Sequence, residues 1–195
     1  MKLVLSFSVY KVVDWLIFIT GGVRSGKSAL AEQMISQCGL DKHYHYIATG
    51  VPFDEEMKSR IHRHRMDREN QLLNWHTIEM QVAFPENAKN FSGNDVLLFE
   101  CVTTWLSNVM YAAERVKDPQ QFIHTQIALF QQQLLFWQER SVKMIIVSNE
   151  ILDEPASKYD EVNQYRKLLG GLHQWLVKQS EEAYEVQFQL VQRWK

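Results

Sequence analysis

Residues Gly21-Gly22-Val23-Arg24-Ser25-Gly26-Lys27-Ser28 match G-x-x-x-x-G-K-[ST], the most constraining pattern in the chain. The glycines let the backbone turn so that successive N–H groups face one anion. A helix starting directly after them adds the positive end of its dipole. Lys27 is expected to reach the outer phosphates of a nucleotide, and Ser28 offers a hydroxyl to Mg²⁺. The context fits: Trp15-Leu-Ile-Phe-Ile19 is a short apolar run suited to a buried parallel strand. A helix from about Gly26 through Ala29, Leu30, Met34 and Ile35 towards Gly39 follows it.

Strand-like and helix-like segments continue to alternate. The spacing predicts strands at His43–Ala48, Trp75–Glu79, Asp95–Glu100 and Lys143–Ser148, with one alternating strand over Tyr184–Val191 at the end. It predicts helices at Asp54–Arg68, Thr104–Glu114, Pro119–Arg140 and Lys158–Gln179. The fold expected is α/β and P-loop NTPase-like, a mainly parallel sheet flanked by helices. No repeat or Pro/Gly/Ser-rich linker divides the 195 residues, so 16–195 reads as one catalytic domain and 1–15 as an N-terminal extension. In the helix at Pro119–Arg140, Ile123, Ile127, Phe130, Leu134 and Trp137 form one stripe. Core packing is the favoured role and a subunit contact the alternative.

Charge sorts the partners. Lys+Arg 21 against Asp+Glu 23 gives net -2, which argues against a general nucleic-acid coat. The N-terminal apolar stretch is broken by Lys11 and Asp14, so no membrane span is expected. Two cysteines, Cys38 and Cys101, make no disulfide framework and suit a cytoplasmic protein.

A phosphate loop of this kind needs an acid at the end of a neighbouring strand to help hold its metal. Glu100 is so placed, with Glu150 the rival. On the expected helix at Asp54–Arg68, Arg60, His64 and Arg68 share one face with Arg65 beside it, and no acid intervenes between Arg60 and Arg65. The face is either solvated or occupied by a phosphate-rich ligand. Arginines around His64 would keep its imidazole neutral and nucleophilic. His62, His43, His45, His76, His124 and His173 are better read as structural or surface residues.

These segments occur in a familiar order. The phosphate loop, Tyr46-Ile-Ala-Thr49, Arg60-Ile-His-Arg-His64-Arg65, Trp75-His-Thr-Ile-Glu79, Leu97-Leu-Phe-Glu100-Cys-Val-Thr-Thr-Trp105 and Val147-Ser-Asn-Glu150 together resemble one family. It is that of the bifunctional adenosylcobinamide kinase / adenosylcobinamide-phosphate guanylyltransferases of cobalamin synthesis. The resemblance implies phosphorylation of adenosylcobinamide by ATP or GTP. It also implies transfer of GMP from GTP, through a GMP-histidine, to give adenosylcobinamide-GDP. By position, His64 and Lys27 are then catalytic. Gly21, Gly22, Val23, Arg24, Ser25, Gly26, Lys27 and Ser28 are nucleotide-binding, joined by Ala48, Thr49, Gly50, Arg65, Met66, Asp67, Arg68, Glu79 and Glu100. Ser28 and Glu100 hold Mg²⁺. The partners implied are a corrinoid and a nucleotide, and the assembly a homotrimer that would employ the Ile123–Trp137 stripe. Two alternatives stay open: a simple P-loop kinase for another small molecule, and a nucleotide-binding protein without turnover. One departure stands out. Where the family has a Gly-rich loop after its Val-Ser-Asn-Glu strand, this chain reads Ile151-Leu-Asp-Glu-Pro155-Ala-Ser, without glycine.

Overall fold

Strands that are apolar along their whole length can be buried only where helices cover both faces of a sheet, and this is what Leu16-Ile-Phe-Ile19 and Met144-Ile-Ile-Val147 do. The computed structural model describes residues 16–51, 55, 66, 73–151 and 157–195. Its strands are β1 (Leu16–Gly21), β2 (His43–Ala48), β3 (Trp75–Glu79), β4 (Asp95–Glu100), β5 (Lys143–Val147), β6 (Glu182–Gln187) and β7 (Leu190–Arg193). Its helices are α1 (Lys27–Ser36), α2 (Val102–Ala113), α3 (Pro119–Glu139) and α4 (Asp160–Gln179), with a 3₁₀ turn at Glu86–Ala88. The sheet runs β3-β2-β4-β5-β1-β6-β7. All neighbours pair parallel except β6 and β7. The expected α/β architecture, a mainly parallel sheet flanked by helices, is the one observed.

Side-chain alternation divides the interior into two layers. On one face, Ala31 and Ile35 of α1 pack with Ile17, Ile19, Val96, Leu98, Ile145 and Val147. On the other, α2, α3 and α4 cover Leu16, Phe18, Leu97, Phe99, Met144 and Ile146. The Ile123–Trp137 stripe belongs to this second layer: Ile123, Phe130, Leu134 and Trp137 are buried and Ile127 is packed against them. Phe130 stacks on Trp105 at a centroid distance of 4.5 Å. The stripe therefore packs as core, the favoured role.

Several boundaries move by one to three residues, α4 for instance starting at Asp160 rather than the expected Lys158. α2 starts two residues before the expected Thr104 because extended Cys101 supplies the turn out of β4. α1 ends at Ser36, short of Gly39, with Gln37 as its C-cap. The final segment departs more. Instead of one strand over Tyr184–Val191, the chain reverses at Phe188 and Gln189, whose φ values are 49° and 65°. β6 and β7 thus form a hairpin, with Val186 opposite Val191. Such a turn usually uses Asn and Gly, and its absence from the sequence hid the reversal. Among the described residues no helix is long and apolar enough to cross a membrane.

Candidate nucleotide-binding site

The carboxyl ends of the parallel strands lie along one edge of the sheet, the usual place for a ligand in such folds. β1 reaches this edge at Gly21 and hands over to the loop. Within it the Ser25 N–H donates to Gly22 O at 3.2 Å, Arg24 takes φ 60°, and Gly26 takes φ 101° as the N-cap of α1. Val23 and Arg24 are exposed, whereas Ser25 and Lys27 are buried. Lys27 Nζ donates to Gly22 O at 3.0 Å, folded back across the loop. Ser25 Oγ is buried and lacks a hydrogen-bond partner among the described residues, a cost that a bound anion would remove. At Gly21 a Cβ would lie 2.2 Å from Val186 O, so only glycine fits between the loop and β6.

Next to the loop, Ser28 Oγ donates to Glu100 Oε1 at 2.5 Å. The other carboxylate oxygen, Oε2, accepts from Tyr46 Oη at 3.1 Å. Hydroxyl and carboxylate oxygens are the hard donors that Mg²⁺ prefers. The pairing separates the two acidic candidates: Ser28 meets Glu100, while Glu150 joins the loop through its backbone N–H, which donates to Gly21 O at 2.9 Å.

Thr49 secures the ground beneath Glu100. Its buried Oγ1 accepts from the Cys101 N–H at 2.8 Å and lies 3.0 Å from both Glu100 O and Cys101 O. Asn108 Nδ2 donates to Thr49 O at 2.9 Å, tying α2 to the end of β2. Ala48 stands in register with Glu100 on one side and Glu79 on the other, and the Met80 N–H donates to Ala48 O at 2.8 Å. Gly21–Ser28, Ala48, Thr49, Gly50, Glu79 and Glu100 are thus gathered along one edge. Met66, expected to bind nucleotide, is helical and exposed, as is Glu55. Arg60, His64, Arg65, Asp67 and Arg68 lie outside the described residues, as does the stretch 152–156 of the glycine-free segment.

Tyr46, Thr103, Asn108 and Asn149 carry polar contacts at this edge that spacing alone did not single out. Asn149 Nδ2 donates to Thr103 Oγ1 at 2.9 Å, and Tyr165 Oη of α4 donates to Thr103 O at 2.9 Å. The alternation of His43-Tyr-His-Tyr46 marks Tyr46 as inward-facing, but nothing local points it at Glu100. Behind the edge, His173 Nε2 sits 2.7 Å from Ser148 Oγ, and burial pushes its pKa down to about 4. His45 is 2.8 Å from Asp95 Oδ1, and burial outweighs that carboxylate and lowers its pKa as well. Both histidines are structural.

A buried parallel strand, a glycine-rich phosphate loop, a helix opening on Lys-Ser, and an acid from a neighbouring strand end against that serine define a P-loop nucleotide-binding protein. Solved structures agree on the fold. The chain superposes on an ATP synthase subunit, NeqB, from Nanoarcheaum equitans with TM-score 0.56 at 11% identity, covering 88% of this chain and 45% of that one. It superposes on the type III secretion ATPase EscN of enteropathogenic E. coli with TM-score 0.52 at 12% identity, covering 90% of this chain and 43% of that one. Within that class the chain belongs to the cobinamide kinase / cobinamide phosphate guanyltransferase family, whose model matches residues 17–190. It is 30% identical over 177 residues to the bifunctional adenosylcobalamin biosynthesis protein CobU of Escherichia coli K12, covering 88% of this chain and 94% of that one. It is 32% identical over 166 residues to the bifunctional adenosylcobalamin biosynthesis protein CobP of Pseudomonas aeruginosa, covering 85% and 88%.

Proposed function

We propose that this chain phosphorylates adenosylcobinamide with ATP or GTP and then transfers GMP from GTP to the new phosphate, giving adenosylcobinamide-GDP. The observation that carries the reading is Ser28 Oγ against Glu100 Oε1 at 2.5 Å beside an intact phosphate loop; the family supplies the acceptor. The loop N–H groups and the start of α1 bind the phosphates, and Lys27 swings from Gly22 O to the outer phosphates. Ser28 and Glu100 are the residues that would hold Mg²⁺, which when bound neutralises phosphate charge. Ala48, Thr49, Gly50, Glu79, Arg65, Met66, Asp67 and Arg68 complete the nucleotide contacts.

In the kinase step the acceptor hydroxyl oxygen forms a bond to the γ-phosphorus and gives up its proton to solvent. The bond from that phosphorus to the β-phosphate oxygen breaks, releasing the nucleoside diphosphate. In the transferase step a neutral His64 nitrogen attacks the α-phosphorus of GTP and pyrophosphate leaves. A phosphate oxygen of adenosylcobinamide phosphate then displaces the histidine, and GMP passes to it. The reading places the enzyme in the cytoplasm as a homotrimer, with residues 16–195 as one catalytic domain.

Incubation with α-labelled GTP tests it. Native protein should take up acid-labile, base-stable label, and His64→Ala should take up none. Equal labelling of the variant refutes the nucleophile assignment. Transfer of γ-label to an acceptor without any GMP adduct would reduce the protein to a simple kinase.

A further inference from the structure

The hairpin of β6 and β7 is docked on the phosphate loop. The Gln189 N–H donates to Ser25 O at 3.0 Å. The atoms nearest to where a Gly26 Cβ would stand are Gln189 Cγ and Cα, at 3.6 and 3.8 Å. Between Gln187 and Gln189 the tip carries Phe188, at φ 49° and 91% exposed. Two costs fall on this one residue: a bulky side chain in the left-handed region, and an aromatic ring standing in water. Asparagine or glycine would make the same turn without either cost. A strained, exposed aromatic beside a ligand loop is a sign of function.

We infer that Phe188 is the platform on which the purine base of the bound nucleotide stacks. The inference rests on the nucleotide reading above and adds the base subsite to it. The loop Gly21–Ser28 grips phosphates through backbone N–H groups, a lysine and hydroxyls, and contains no aromatic side chain to hold a base. A purine offers a flat apolar face, and stacking on Phe188 takes ring and base out of water together. Stacking does not distinguish adenine from guanine, so one platform serves ATP and GTP alike.

Titration calorimetry on the full chain in Mg²⁺, with ATP, GTP and inorganic tripolyphosphate, tests the platform. Phe188→Ala should weaken ATP and GTP by roughly five- to tenfold and leave tripolyphosphate unchanged. Phe188→Trp should keep nucleotide affinity, and its added fluorescence should be quenched by ATP but not by tripolyphosphate. Unchanged ATP affinity in Phe188→Ala overturns the inference, and so does equal weakening of tripolyphosphate, which would mean that the turn only supports the loop. Wild-type protein that binds neither ATP nor tripolyphosphate overturns the nucleotide reading itself and the platform with it. Phe188 is on the surface, so both variants should retain the wild-type circular dichroism spectrum.

Discussion

His173→Gln tests whether α4 is pinned to the end of β5 by a neutral imidazole. The ring lies 5.2 Å from that of Phe18, its Nε2 is 2.7 Å from Ser148 Oγ, and burial lowers its pKa from 6.5 to about 4. In the unfolded chain the ring takes up a proton below about pH 6.5, whereas the folded chain refuses one until about pH 4. Protons therefore favour the unfolded state between those values. Stability is intact above pH 6.5 and declines through the window as pH falls. Each tenfold difference in proton affinity corresponds to about 1.4 kcal/mol. The loss is then about 2 kcal/mol at pH 5 and about 3 kcal/mol below pH 4. Urea unfolding at pH 7.5 and pH 5, followed by tryptophan fluorescence, measures it. Glutamine does not titrate, so the stability advantage of wild type over His173→Gln should shrink by about 2 kcal/mol between the two pH values. Other acid-sensitive groups, His45 among them, contribute to both proteins and cancel. Parallel pH dependences in wild type and variant would refute the buried, neutral histidine.

Two further substitutions probe the frame of the site and the core behind it. Gly21→Ala sets a methyl 2.2 Å from the Val186 carbonyl oxygen and 2.8 Å from Ser25 Oγ, so either β6 or the loop must shift. Thermal unfolding should show a loss of about 1–3 kcal/mol together with weakened ATP binding, and unchanged values of both would contradict the close approach. Phe130→Ala removes a ring stacked on Trp105 at 4.5 Å and set against Phe99 at 5.3 Å. Urea unfolding should register about 3–5 kcal/mol, with ATP affinity of the folded protein unchanged because α3 lies on the opposite face of the sheet from α1.

What could be read from the sequence was local and periodic. The phosphate loop was legible because each of its fixed residues does its work within eight positions. β4 was legible as an apolar run between two acids, and β2 by the alternation of its histidines and tyrosines. Glu100 was readable as an acid at a strand end, but its choice over Glu150 was not. That choice rests on the contact of Ser28 Oγ with Glu100 Oε1 across seventy-two residues of chain, which no spacing records. Tyr46 and Thr49 act on Glu100 and Cys101 across more than fifty residues of chain, and only the β2–β4 register of Ala48 with Glu100 brings them together. The hairpin at Phe188 stayed hidden because its turn lacks the residues that ordinarily make one.

The meeting of Ser28 and Glu100 follows from connectivity rather than from anything special in either residue. β1 and β2 are consecutive along the chain, yet β5 and β4 stand between them in the sheet. The connection through α1 must therefore cross two strands, and Ala31 and Ile35 pack over Ile145, Val147, Val96 and Leu98 as it does so. The first turn of α1 consequently starts above the loop and leans towards β4, and Ser28, one residue past Lys27, arrives at the carboxyl end of that strand. Had β2 paired directly with β1, the same loop would face its own neighbour and Glu100 would be out of reach. The acid is chosen by the strand order, in which β4 and β5, apolar on both faces, hold central places. With β5 lying between β1 and β4, the phosphate loop and the carboxylate that completes it start one strand apart, and the first turn of α1 closes that gap.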